Sequence, residues 1–523
     1  MKKNASNKRD SSALHLLRAE YYQAEGLPVH ALAEWDKAVS TAPDEAEPLI
    51  ARAECLRRQG RLSEAEADLA AAARLAPSNP EPGVIMAQTL AAASRFAEAF
   101  DHLDRAEAID PGWHRIHLIR GDLLAALGRK DEALLSYRRA VSLAPRKIEA
   151  MTALACLLAD QGAFPEADEF ANRILSVNAN SPEARIVKAL HFSGRGILDS
   201  ALAELTRAVR ANPAHVRARL ERGVVNLGLN RLDEACQDFL WVTEREPDNV
   251  RALSGLGESA WRCGRVREAI EAYTRVVDQG EAGPEVFQGR AEALALAGRR
   301  EEAAADCARA LEFDPLNSDI HAMRGLLNIE LGFYDEATRD LNRAIALDGD
   351  LVEAVVARGE LRSRRGDNAG AVADFAAAVR LNPEDPDLVA RWVRSIGDAG
   401  DQVTALRLLE REIGIHPNVP SLALLKGDLL AESMRPEEAE AWYHRVSRQI
   451  PNEIEPHLRL AEFHENRSEP ARALGELDRA IRIDPSDPFP RLMRAALLER
   501  LGRQDEARRE LGAASRQRRL RGK

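Results

Sequence analysis

RGDLLAALGRKDEALLSYRRAVSLAP, residues 120–145, reads as two amphipathic helices joined by a turn. In Arg120–Gly128 the leucines recur at helical spacings, and Asp131–Leu143 shows the same period with a charged outer face. Gly128 suits the end of the first helix, where glycine adopts a left-handed backbone at least cost. Pro145 lacks an amide hydrogen and clashes inside a helix, so it closes the second.

The alanine of this stretch, Ala133, belongs to a strict series with a spacing of 34 residues: Ala31, Ala65, Ala99, Ala133, Ala167, Ala201, Ala235, Ala269, Ala303, Ala337, Ala371, Ala405, Ala439, Ala473 and Ala507. Other slots keep the same register. Twelve residues before each alanine stands a small residue, as at Ala53, Gly121, Gly223 and Gly427, with Val393 the exception. Glycine often stands five residues before, as at Gly60 and Gly264, and proline twelve after, as at Pro111 and Pro247. A large residue such as Trp35, Tyr137, Phe239 or Tyr443 follows the alanine by four. A fixed period of this length predicts stacked helical hairpins, with small residues admitting close backbones and large ones filling the space beside them.

The pattern of small residue, alanine, large apolar residue and proline resembles the tetratricopeptide repeat over about residues 12–515, in fifteen units. The resemblance implies an all-α fold, a right-handed superhelical solenoid of antiparallel helix pairs, here named helix A and helix B. It also implies a groove lined by A helices that holds peptide segments. Residues 1–11 and 516–523 are expected to be basic tails outside the array, the first of them disordered.

One departure is systematic. Where the family has leucine before the first small residue, this chain mostly has a base, and an acid often follows sixteen residues later on helix B. Arg18 with Glu34, Arg52 with Asp68, Lys188 with Glu204, Arg222 with Asp238, Arg290 with Asp306, Arg324 with Asp340, Arg358 with Asp374 and Arg494 with Glu510 are the pairs. They predict a cross-helix ion pair, partly buried, repeated along the stack. The alternative is two solvated charges of little energetic value.

Composition narrows the function. Charged residues make up 30% and aromatics 5%, as expected of a thin two-layer stack filled by small and aliphatic side chains. No stretch reaches the length of a membrane span, and the residues after the basic start are already amphipathic, so no export signal is read there. The odd count of cysteines, five, without a CxxC pair, points to free thiols and a cytoplasmic location. No phosphate loop, HExxH helix or GxSxG elbow is present, so neither catalysis nor a cofactor is expected. His114 and His117 lack a nearby ligand set and are not read as a metal site. The net charge is −11, and both ends are basic, so the body stands near −19 and should repel phosphate backbones.

Function then falls to the groove. The slot three residues before the first small residue is mostly apolar, including Leu118, Leu220, Val356, Leu424 and Leu458. Four residues later, on the same helical face, come Asp122, Glu258, Glu292, Glu360, Asp428 and Glu462. Together they suggest a groove for a segment that is basic on one side and apolar on another. The apolar row also fits ordinary packing between repeats. Groove chemistries known in the family, a lysine and asparagine clamp for an acidic tail or an asparagine ladder, are not found: no lysine stands in the apolar row, and the slot after it holds Leu17, Ala51, Ile85, Ile119, Ala153 and Val187.

The expectation is a non-catalytic scaffold for basic or amphipathic protein segments. The alternative is a regulatory or targeting subunit of a separately encoded enzyme or secretion complex. A nucleic-acid partner is not expected. The unit around Ala405, with Val393, Trp392 and Glu412 in place of its usual residues, is expected to pack most loosely.

Overall fold

The computed structural model describes residues 2–521, with side chains over residues 11–517. Among the described residues the chain is helical throughout, from α1 (Lys2–Ala24) to α30 (Gln504–Arg521), with odd-numbered A helices alternating with even-numbered B helices. Helix α1 crosses residue 11 without a break, and no glycine or proline interrupts residues 2–24. Helix α30 likewise runs past residue 515. Contacts divide the chain into two units, Met1–Arg265 and Val266–Lys523. Each unit is a stack of helical hairpins in which a B helix packs on the A helix before it and the A helix after it.

Every alanine of the 34-residue series is 0% exposed, so each marks a point of close helix approach. The small slot does the same against the large one. In α7 (His114–Ala126) a Cβ added to Gly121 would stand 2.4 Å from the Tyr137 ring on α8 (Lys130–Leu143). Phe239 on α14 (Leu232–Arg245) is flanked on both sides: a Cβ would lie 2.8 Å from it at Gly223 on α13 (Val216–Gly228) and 2.5 Å at Gly255 on α15 (Val250–Arg262). The large side chain therefore fills the gap within its own repeat and the gap to the next. Density of this kind leaves no room for an added methylene, which is why the slot stays small.

The turn between helix A and helix B uses one left-handed residue in all fifteen repeats. Most are glycines, such as Gly128 at φ 73°, but Ser94, Asn230, Met434 and Ser468 are held at φ 62°, 58°, 58° and 58°. The hairpin geometry, rather than residue type, sets this backbone. At the other end of each hairpin the B helix closes before its proline, as where the Ala144 amide donates to Ala140 O at 3.0 Å ahead of Pro145.

Six of the eight expected cross-helix pairs form, joining Arg52 to Asp68, Arg222 to Asp238, Arg290 to Asp306, Arg324 to Asp340, Arg358 to Asp374 and Arg494 to Glu510. Their acids are largely buried, with side-chain exposures from 2% for Asp238 to 16% for Glu510. Glu34 and Glu204 depart from the expectation. They pair with a base three residues earlier on helix A, His15 and Arg185, both at 2.7 Å. Lys188 turns to Asn172 at 2.6 Å instead. The same earlier slot supplies His457 to Glu476 at 2.7 Å, in the repeat whose usual base is Leu460.

Candidate functional site

Within each unit, successive A helices touch, as α9 (Ile148–Asp160), α11 (Pro182–Gly194) and α13 do in the first unit. In the second, α23 (Pro386–Asp398), α25 (Pro420–Glu432) and α27 (Glu455–Asn466) do the same. Among the described residues no successive B helices meet to a comparable degree. Each stack therefore curves with its A helices on the inner side.

Most of the expected apolar row is buried. Leu220, Leu424 and Leu458 are 7%, 6% and 4% exposed, and Leu118 and Val356 are half-buried against neighbouring cores. An A helix is packed on both its B partner and the adjacent repeats, so an apolar position three residues before the small slot is consumed by that packing. Leu424 alone of the five also borders a cleft.

Most of the acidic row is engaged within the chain. The Tyr137 and Tyr443 hydroxyls donate to Asp122 and Asp428 at 2.8 and 2.5 Å, and burial with the adjacent carboxylate pushes both phenols up. Glu258 takes a 3.4 Å bond from Arg262, and Glu360 pairs with Arg391. Among the described residues Glu292 has no cation and accepts only from Gln288 at 3.1 Å; burial, followed by the charge of Asp319, raises its carboxyl above the usual range. Burial raises Asp122 as well.

On α23, α25 and α27 the row opens into two adjoining hollows of about 770 and 830 Å³ that share Arg394, Leu425, Asp428 and Arg459. Leu424, Leu425 and Phe463 supply apolar wall, and Glu360, Asp428 and Glu462 of the expected row border the space. Arg459 stands among three carboxylates, 3.4 Å from Glu455, 3.6 Å from Glu462 and 4.0 Å from Asp428. Burial raises the Glu462 carboxyl, an effect that Arg459 offsets and Asp428 and Glu455 reinforce. Arg394 bridges Asp398 at 3.3 Å and Glu432 at 2.6 Å.

The arginines of this cleft were missed in the sequence. The slot that holds Leu17 through Val187 in the early repeats holds Arg391 and Arg459 later, so following that one row to its end is the signal that finds them. His114 and His117 lie at the start of α7, where burial lowers both imidazoles. Among the described residues no His, Cys, Asp and Glu group is arranged to hold a metal ion, and no helix is long and apolar enough to cross a membrane.

A search of the curated proteins gives no match. Among solved structures, the chain is similar to one in the crystal structure of the APC/C hetero-tetramer Cut9–Hcn1, with 13% identity and TM-score 0.39 over 94% of this chain and 96% of that one. A chain in the structure of Naa15/Naa10 bound to HypK-THB has 15% identity and TM-score 0.32, covering 96% and 99%. A tetratricopeptide repeat protein from Parabacteroides merdae ATCC 43184 has 22% identity and TM-score 0.32, covering 51% of this chain and 92% of that one. The family model described as tetratricopeptide repeat matches residues 16–80, 86–148, 118–185, 186–240, 237–284, 255–318 and 323–386, well over half of the chain. The chain therefore belongs to the tetratricopeptide repeat family and is, at that level, a protein-interaction scaffold.

Proposed function

We propose that the chain holds an amphipathic protein segment bearing basic residues against its A-helix face, with the cleft on α23, α25 and α27 as the seat. The observation that carries this reading is the imbalance around Arg459. One guanidinium serves three carboxylates at 3.4 to 4.0 Å, and the Glu462 carboxyl is raised by burial. A lysine or arginine of a partner, set between Asp428 and Glu462, supplies the missing positive charge. Leu424, Leu425 and Phe463 take the apolar side of the same segment. Charge of this kind selects partners and register more than it adds raw affinity. The chain then contributes shape and field rather than chemistry.

The test is fluorescence anisotropy with two labelled amphipathic peptides of about 20 residues, one leucine–lysine and one leucine–glutamate in the same pattern. The lysine peptide should bind more tightly. The double variant Asp428→Asn with Glu462→Gln should reduce that preference about tenfold, the equivalent of about 1.4 kcal/mol. Equal binding of both peptides to the unaltered chain overturns the proposal.

A further inference from the structure

Two cysteines that belong to no recognised motif meet within the first unit. Cys236 lies on α14 and is 2% exposed; its thiol donates to the Ser259 hydroxyl on α15 at 3.2 Å. Cys263 caps α15, and its amide donates to the Ser259 carbonyl at 3.0 Å, so Ser259 and Cys263 sit one turn apart on the same side of the helix. Cys236 and Cys263 therefore flank the same serine, and the neighbouring Cys236 is among the groups that raise the Cys263 thiol. Both are free, and Cys263 is the more exposed.

We infer that Cys236 and Cys263 form a two-cysteine oxidation site, at which hydrogen peroxide produces an intrachain disulfide joining α14 to α15. The accessible Cys263 sulfur, as thiolate, attacks the peroxide. An S–O bond forms, the O–O bond breaks, and the departing hydroxide takes up a proton to leave as water. The Cys236 sulfur then attacks the Cys263 sulfur; the S–S bond forms, the S–O bond breaks, and the hydroxyl leaves with the Cys236 proton as a second water. Two thiols lose two electrons, and one peroxide gains them. The Ser259 hydroxyl donates to Gly255 O at 2.7 Å, which fixes the acceptor that orients the buried thiol.

The consequence is mechanical. Helix α14 ends one repeat and α15 begins the next, and they already approach closely where Phe239 meets Gly255. A covalent link there holds the step between two repeats at one crossing. Burial also raises the Cys263 thiol, so the site responds to sustained oxidant rather than to a brief pulse.

The experiment treats the full chain with hydrogen peroxide at neutral pH, blocks remaining thiols with iodoacetamide, and maps peptides without reduction. The expected product is the Cys236–Cys263 linked pair, reversed by dithiothreitol. It should form at least about tenfold faster than in the chain unfolded by urea, since the fold holds the sulfurs together. Amide exchange in α14 and α15 should slow on oxidation. In Cys236→Ser, checked for retained helicity, Cys263 should accumulate as sulfenic and then sulfinic acid. Sulfinic acid at Cys263 in the unaltered chain, pairing with another cysteine, or equal rates in folded and unfolded chains overturns the inference.

Discussion

Arg222 meets Asp238 across the two helices of one hairpin through two parallel bonds, Nε to Oδ2 at 2.7 Å and Nη2 to Oδ1 at 2.6 Å. The aspartate side chain is 2% exposed and the arginine 21%. Such a fork costs more to break than to replace, because removing one partner strands the other away from water. Asp238→Ala should therefore destabilise the stack by about 2 to 3 kcal/mol. Replacing both residues by leucine should come near to neutral. Urea unfolding of the two variants checks this, and a double variant as weak as the single one would show that packing, not stranded charge, sets the cost.

A second prediction rests on the turn. Met434 is 87% exposed and held at φ 58° in a slot that is glycine in most repeats. A side chain in the left-handed region costs about 1 to 2 kcal/mol relative to glycine, and this one has no burial to offset it. Met434→Gly should raise stability by about 1 kcal/mol. Asn230→Gly, at the same φ, should gain less, because asparagine tolerates that conformation. Unfolding midpoints that rank the two the other way would remove backbone strain as the explanation.

Much of this architecture was readable because a repeat states each packing rule fifteen times. The alanine slot, the small residue facing Tyr137 or Phe239, and the arginine–aspartate pairs all follow from register. What register does not reveal is reach. Glu34 and Glu204 occupy the acid slot but turn to His15 and Arg185, while Glu510 in the same slot keeps Arg494. Nor does helical period separate the two apolar faces of an A helix, so Leu220 and Leu458 read as groove when they are core. The cleft at Arg459 depends on how neighbouring helices bring Glu455, Glu462 and Asp428 together, and no spacing along one helix contains that.

The partly buried acid Glu292 gives a pH signature. Its carboxyl is raised by burial and by Asp319, so the neutral form is the better tolerated in the fold. A raised carboxyl contributes its stability below the unfolded value, near 4.3, and loses it as pH rises through the folded value. Glu292→Gln should thus be more stable than the unaltered chain at pH 7. Below about pH 3, where glutamate is neutral in both states, the difference should vanish. Melting curves across that range decide it, and a variant less stable at pH 7 would mean that the charge finds a partner in solution.

The last prediction concerns α24 (Gln402–Ile415), where only Ala405 and Leu409 are buried among the described residues. Its neighbours do better: α22 (Asn368–Leu381) buries Ala371, Asp374, Phe375 and Ala378, and α26 (Pro436–Gln449) buries Ala439, Tyr443 and Val446. The difference arises at Glu412, which stands where Ala378 and Ala344 pack fully buried in other repeats. A glutamate cannot be sealed into that contact without losing its hydration, so the helix rides higher on its neighbours. On the preceding helix the Trp392 indole N–H is buried without a partner, a further local cost. Amide exchange should accordingly be faster in α24 than in α22 and α26, since local opening follows the least buried contact. Glu412→Ala should slow that exchange and add about 1 kcal/mol by restoring the buried methyl contact. Exchange in α24 as slow as in both flanking B helices would refute the reading, because two buried side chains would then be holding the helix as firmly as three or four.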